Sequence, residues 1–223
     1  MGRIRLVVFD VAGTIIEDHG EVLSSFQRAL QQNGITVGED ELREWKGASK
    51  REVIWHFVKR QGHDPGTAEK TYRDFRQLLE EHYRSQGVTL IAGAERTFSW
   101  LRERKIKLAT TTGFYREVND LILEKTGWRG LFDAVVSSSD VSQGRPAPFM
   151  ILRAMEAAGV VSVAEVMNVG DTPLDLQAGS NAGVAAVVGV LTGLHGEDRL
   201  RREPHTHIIP SVAELPRLIE LSD

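Results

Sequence analysis

Asp10-Val11-Ala12-Gly13-Thr14 follows a largely apolar run at 4–9, which sets a carboxylate where a buried strand meets a glycine turn. Three further segments offer polar groups beside apolar runs in the same way. Thr110-Thr111-Thr112-Gly113 presents hydroxyls and backbone N–H groups at the entry to a helix, an arrangement suited to holding phosphoryl oxygens. Gly144-Arg145-Pro146-Ala147-Pro148 carries a guanidinium with two prolines stiffening its flank, so it can be held over an anion with less entropy lost. Gly170-Asp171-Thr172-Pro173-Leu174-Asp175 puts two carboxylates four residues apart at a strand-to-helix turn. Asp10 and Asp171 together would supply oxygen donors of the kind Mg2+ prefers, with room left for water and substrate.

Each segment also has a plainer reading. Aspartate opens turns and caps helices, and Asp171 and Asp175 as a cap and a first-turn acid would contribute about 1 kcal/mol of helix stability. Arginine is usually a solvated surface residue. Chance would have to place all four segments in order, each beside a strand end, and that favours the chemical reading.

The elements that position these groups alternate. Residues 4–9, 106–111, 134–137, 166–169 and 185–190 read as strands without polar alternation, and 208–209 as a short edge strand ended by Pro210. Helical patterns lie at 94–104, 115–126, 148–158 and 173–182. The expected fold is α/β, a doubly wound parallel sheet with its sites at the C-terminal ends of the strands. From about 20 to 86 the alternation stops and only helical periodicity remains, with stripes at Leu23, Phe26, Ala29 and Leu30, at Val53, Ile54, Phe57 and Val58, and at Tyr72, Phe75, Leu78, Leu79 and Tyr83. This predicts an all-helical domain at 17–89 inserted into a core of 1–16 and 90–223, with Trp45 and Trp55 in the helical core and linkers at 13–20 and 86–93.

Composition narrows the function classes. The 223 residues carry a net charge of −4, which argues against a phosphate-coating nucleic-acid binder. The absence of Cys excludes disulfides, thiolate metal sites and a cysteine nucleophile. No apolar stretch is long enough to span a bilayer and no signal-like leader is apparent, so the cytoplasm is the expected location, with neither membrane nor nucleic acid as a partner.

In order and type the four segments resemble the motifs of the haloacid dehalogenase superfamily, whose core is Rossmann-like, with the helical insertion in the place of its cap domain. Asp10–Thr14, Thr111–Glu117 and Gly144–Pro148 are similar to the phosphonatase-like group (phosphonoacetaldehyde hydrolases) within it. The resemblance implies that Asp10 attacks phosphorus and becomes an aspartyl-phosphate. It implies Mg2+ as cofactor, bound by Asp10, the backbone carbonyl of Ala12 and Asp171, with Asp175 in support. Thr112, Gly113 and Arg145 would hold the phosphoryl oxygens of a small phosphorylated or phosphonate metabolite. Relatives of this kind can pair through their caps, so a homodimer is an expectation by analogy.

Ala12 departs from most of the superfamily, which carries a second Asp there to protonate the leaving oxygen. Loss of such an acid costs about 10²–10⁴-fold, so an ordinary alkyl phosphate would be a poor substrate. Phosphonatases avoid the need by forming an imine between a cap lysine and the substrate aldehyde, and Lys50 in Gly47-Ala48-Ser49-Lys50 stands where that pattern puts it. Two other roles stay open for Lys50: gripping an anionic substrate without covalent chemistry, or lying solvated beside Arg51 and Glu52. Val53 stands where phosphonatases have a histidine, and His56, one turn later, is a conceivable replacement. The alternatives to a phosphonate hydrolase are a phosphatase for esters with good leaving groups or acyl phosphates, and a non-catalytic binding module.

Overall fold

The computed structural model describes residues 3–221. A six-stranded parallel sheet, in the order β3-β2-β1-β4-β5-β6, runs through its centre. The strands are β1 (Leu6–Phe9), β2 (Lys107–Thr112), β3 (Ala134–Ser137), β4 (Val166–Gly170), β5 (Ala186–Val190) and β6 (His207–Ile209). Both faces are covered, which is why the strands lack polar alternation. Along β1, Val7 and Phe9 join a cluster with Phe98, Leu101, Val118 and Ile122. Leu6 and Val8, pointing the other way, pack with Met150, Ile151, Ala154 and Ala178.

Register brings the polar segments to one edge. Phe9 pairs with Thr110 of β2 and with Val169 of β4. Asp10, Thr111, Thr112, Gly170 and Asp171 therefore emerge side by side at the C-terminal ends of three adjacent strands.

Of the five helices between β1 and β2, the first four form the insertion: α1 (Glu21–Gln32), α2 (Glu39–Glu44), α3 (Lys50–Arg60) and α4 (Pro65–Gln86). Phe26 of α1 stacks on Phe75 of α4 with ring centroids 4.3 Å apart. Ile54, Phe57 and Val58 of α3 and Leu79 of α4 are buried in the same cluster, against which Trp45 and Trp55 pack while partly exposed. Asp64 starts α4 by accepting the Gly66 and Thr67 N–H groups, with Pro65 in the first turn where no N–H is needed. The short α2 escapes sequence periodicity because Leu42 is its single buried residue.

The remaining helices, α5 (Ala94–Glu103), α6 (Arg116–Lys125), α7 (Phe149–Ala158), α8 (Pro173–Ala182), α9 (Glu197–Leu200) and α10 (Leu215–Glu220), belong to the α/β part. The two connections to the helical insertion are not free linkers. The Glu17 N–H donates to Thr89 O at 2.9 Å and the Ile91 N–H to Ile15 O at 3.0 Å, so an antiparallel bridge between Ile16 and Leu90 ties them together. Among the described residues no helix is long and apolar enough to cross a membrane.

Candidate active site

Asp10 leaves β1 buried, and its Oδ1 accepts a hydrogen bond from Arg145 Nη1 at 2.8 Å. The same nitrogen lies 2.8 Å from Asp175 Oδ1. Arg145 Nη2 donates to the carbonyl oxygen of Thr111 at 2.7 Å and to its hydroxyl at 3.0 Å. Arg145 thus ties together the residue that follows β1, the end of β2 and the first turn of α8. A buried guanidinium is tolerable only when paired, and here burial is outweighed by Asp175 and Asp10, which raise its pKa. Expected from sequence to hold phosphoryl oxygens, Arg145 here has its guanidinium engaged by Asp10, Asp175 and Thr111 and is not part of the lining of the cavity above Asp10.

Asp175 is the first-turn acid of α8 and also faces Arg145. Its Oδ2 accepts the Thr172 N–H at 3.0 Å, and Thr172 in return caps α8, while its Oδ1 faces Arg145. Asp171 is wholly buried; Thr14 Oγ1 donates to its Oδ1 at 3.2 Å, and Lys46 Nζ lies 2.9 Å from its Oδ2. Gly13, at φ +91°, passes so near that a Cβ there would lie 2.5 Å from Asp171 Oδ2.

Asp10, Asp171 and Asp175 can each turn one carboxylate oxygen into a cluster whose members lie within 4.8 Å of one another. Burial raises the pKa of Asp171, Lys46 opposes that, and the charge of Asp10 adds to it. Burial likewise raises Asp175 against the pull of Arg145. The two cations therefore undercompensate the cluster. A hard, all-oxygen, electron-rich donor set of this kind suits a divalent cation such as Mg2+.

Above Asp10 lies a cavity walled by Ala12, Thr112, Gly113 and Phe114 from the strand ends and by Lys46, Gly47 and Lys50 from the insertion. Thr112 Oγ1 accepts the Phe114 N–H at 3.1 Å, which leaves its own proton free to donate. Lys50 opens α3 and is buried, with Nζ donating to Ala48 O at 3.2 Å and resting 5.2 Å from the centre of the Phe114 ring. Burial pushes its pKa down to about 8; Asp10 opposes this, and Arg145 reinforces it.

The approach of the insertion depends on a missing side chain. A Cβ on Gly113 would sit 2.4 Å from Ala48 O and 2.6 Å from Gly47 O. Nearby, the Lys50 N–H donates to Gly113 O at 3.4 Å and the Gly144 N–H to Glu52 Oε1 at 3.3 Å.

All eight residues singled out from sequence gather here: Asp10, Ala12, Lys50, Thr112 and Gly113 around the cavity, and Arg145, Asp171 and Asp175 behind it. Two further site residues escaped that reading. Lys46 bridges Asp171 and, at 3.1 Å, Asp18, whose side chain is only 2% exposed in the connection after β1. Nothing in a lone linker aspartate announces such a partner, though the Lys46-Gly47 pair just before Lys50 was a usable hint. His56 is a correction. It stacks on Trp45, centroids 4.5 Å apart, on the exposed side of α3, away from the cavity.

The haloacid dehalogenase-like hydrolase family model matches residues 7–189. The phosphonoacetaldehyde hydrolase of Latilactobacillus sakei is 32% identical over 202 residues, covering 84% of this chain and 76% of that protein. That of Bacillus cereus strain AH187 is 31% identical over 211 residues, covering 86% and 77%. Among solved structures, a phosphonoacetaldehyde hydrolase-like protein from Oleispira antarctica shares the fold, with a TM-score of 0.86, 24% identity and coverage of 98% of this chain and 92% of that one. The chain belongs to the haloacid dehalogenase-like hydrolase family, on its phosphonatase-like side.

Proposed function

Because the chain is a haloacid dehalogenase-like hydrolase, we propose that it is a Mg2+-dependent phosphonate hydrolase. Its substrate is a small phosphonate with a carbonyl one carbon away from the C–P bond, such as phosphonoacetaldehyde. The observation that carries this reading is Lys50: a buried amine, its pKa depressed to about 8, on the same cavity as Asp10. A lysine that only gripped an anion would work best fully charged, whereas an imine-forming lysine needs its free base.

In this reading residues 17–89 act as a cap, and closing it delivers Lys50 to the cavity. Asp10, Asp171 and the carbonyl of Ala12 would hold Mg2+, with Asp175 behind them; when bound, the ion offsets the charge that gathers on the phosphoryl oxygens. Four carboxylates at the site (Asp10, Asp18, Asp171 and Asp175) face three cations (Lys46, Lys50 and Arg145), so a dianionic phosphonate has reason to arrive with a divalent cation.

Lys50 attacks the substrate carbonyl and water leaves, forming a protonated imine. A carboxylate oxygen of Asp10 then attacks phosphorus while the C–P bond breaks, and its electron pair moves toward the iminium nitrogen to give an enamine. The leaving atom is carbon with an electron sink attached, so no acid is needed at position 12, and Ala12 fits this chemistry. The Thr112 hydroxyl and the Gly113 N–H bind phosphoryl oxygens, and Arg145 holds Asp10 in place for attack. Protonation at carbon and hydrolysis of the imine return Lys50, and water cleaves the aspartyl-phosphate.

Borohydride reduction during turnover of phosphonoacetaldehyde tests this. The expected result is a stable adduct on the peptide carrying Lys50, with trapping and phosphate release both lost in Lys50→Arg. Phosphate release with no adduct would replace this reading with an ester or acyl phosphatase. No release from phosphonates, esters or acyl phosphates in the presence of Mg2+ would leave a binding module.

A further inference from the structure

A second chamber lies beside the cavity over Asp10, with Asp18, Val22, Lys46 and Lys50 on the walls of both and Leu23, Phe26, Leu42 and Leu194 lining the second alone. The charges on its wall are already matched: Lys46 pairs with Asp18 and Asp171, and Arg43 with Glu39. What the chamber offers a ligand is therefore apolar surface, contributed by α1, α2 and the loop after β5.

Its place relative to Lys50 gives it a chemical meaning. A carbonyl carbon condensed with Lys50 has two substituents. One is the CH2 that carries phosphorus toward Asp10; the other points away from it. In an aldehyde the second substituent is hydrogen and the chamber stays unfilled. Resting on the reading above, we infer that the enzyme accepts 2-oxoalkylphosphonates, ketones whose short, uncharged alkyl group lies against Val22, Leu23, Phe26, Leu42 and Leu194. The reaction balances as before: the ketone and the Lys50 amine lose water to form the imine, the C–P electron pair enters the enamine, and two waters release a methyl ketone and inorganic phosphate.

The test is phosphate release by the full chain with Mg2+ from phosphonoacetaldehyde and from 2-oxopropyl-, 2-oxobutyl- and 2-oxopentylphosphonate. Comparison within the ketone series holds the electrophile constant. The expected result is a rise in kcat/KM of about tenfold for an added methylene, until the chamber is full. Leu194 is 43% exposed at the chamber mouth, so Leu194→Trp can narrow it without disturbing the core. In that variant the rise should flatten. Turnover of the aldehyde with no turnover of the ketones, or a flat or falling series, overturns the inference and leaves the proposed function standing. A rise equally steep in Leu194→Trp places the alkyl group elsewhere and overturns it too. No release from any of the four compounds removes the proposed function, and this inference with it.

Discussion

The two sides of the cavity are built on different terms. The carboxylate side belongs to the sheet: Asp10 and Asp171 follow adjacent strands, Asp175 lies in the first turn of α8, and Arg145 links Asp10 to Asp175. The lysine side is conditional. Lys46 and Lys50 reach the cavity only because a four-helix insertion lies against Gly113, at a spot with no room for a methyl group. The first side is set once the sheet forms, whereas the second is set only when two packed bodies meet. In the proposed mechanism this separates two steps, phosphoryl capture on the sheet and imine formation under the insertion.

Breaking the carboxylate side should have the largest effect. Asp10→Asn is expected to lower phosphate release by about 10⁴-fold or more, as loss of a nucleophile does. Borohydride should still trap substrate on Lys50, because the insertion still packs against the sheet. If trapping is lost as well, the two sides are not separable. Gly113→Ala makes the opposite cut. Its methyl group collides with the Ala48 and Gly47 carbonyls, so the insertion must back away and carry Lys50 with it. Misplacement of that order costs about 10²-fold in turnover, and here the yield of the Lys50 adduct should fall in parallel. The carboxylate cluster should keep its affinity for Mg2+, measured by calorimetry.

The smallest effect sharpens the comparison instead of breaking it. A lysine whose pKa burial has depressed to about 8 gains free amine as pH rises through 8. The rate of trapping should therefore climb about tenfold between pH 7 and pH 9.5 and then level off. A climb that continues unabated past pH 9.5 would mean an ordinary, solvated lysine and would place Lys50 outside the buried side.

Much of this was legible from residue order. The three polar segments at strand ends, the helical stretch that breaks the alternation and the lack of an acid at position 12 are properties of short windows; the segment at 144–148, expected beside a strand end as well, lies instead seven residues beyond β3. The first-turn acid of α8 is legible too, at Asp175, but the cap expected at Asp171 falls to Thr172, whose hydroxyl accepts the Asp175 N–H. What escaped was non-local. Asp18 carries no local signal, and it becomes a site residue only because Lys46 comes within 3.1 Å of it from another element. Arg145 is legible as an anion-binding residue, but its pairing with Asp10 and Asp175, 135 and 30 residues away in the chain, is not. His56 lies one turn beyond Val53, yet a helix turns about 100° per residue, and the six residues from Lys50 carry it to the solvent side beside Trp45.

The sequence by itself determined which groups could meet phosphorus, because a carboxylate or hydroxyl after a buried parallel strand has one edge of the sheet on which to emerge. Only the tertiary structure decided what those groups are charged against. The depressed pKa of Lys50 and the apolar chamber beside the amine arise where the insertion lies against the sheet, and the pairing of Arg145 arises where segments distant in the chain meet at the strand ends. Desolvation and Coulomb interactions depend on distance in space, and chain order does not record it.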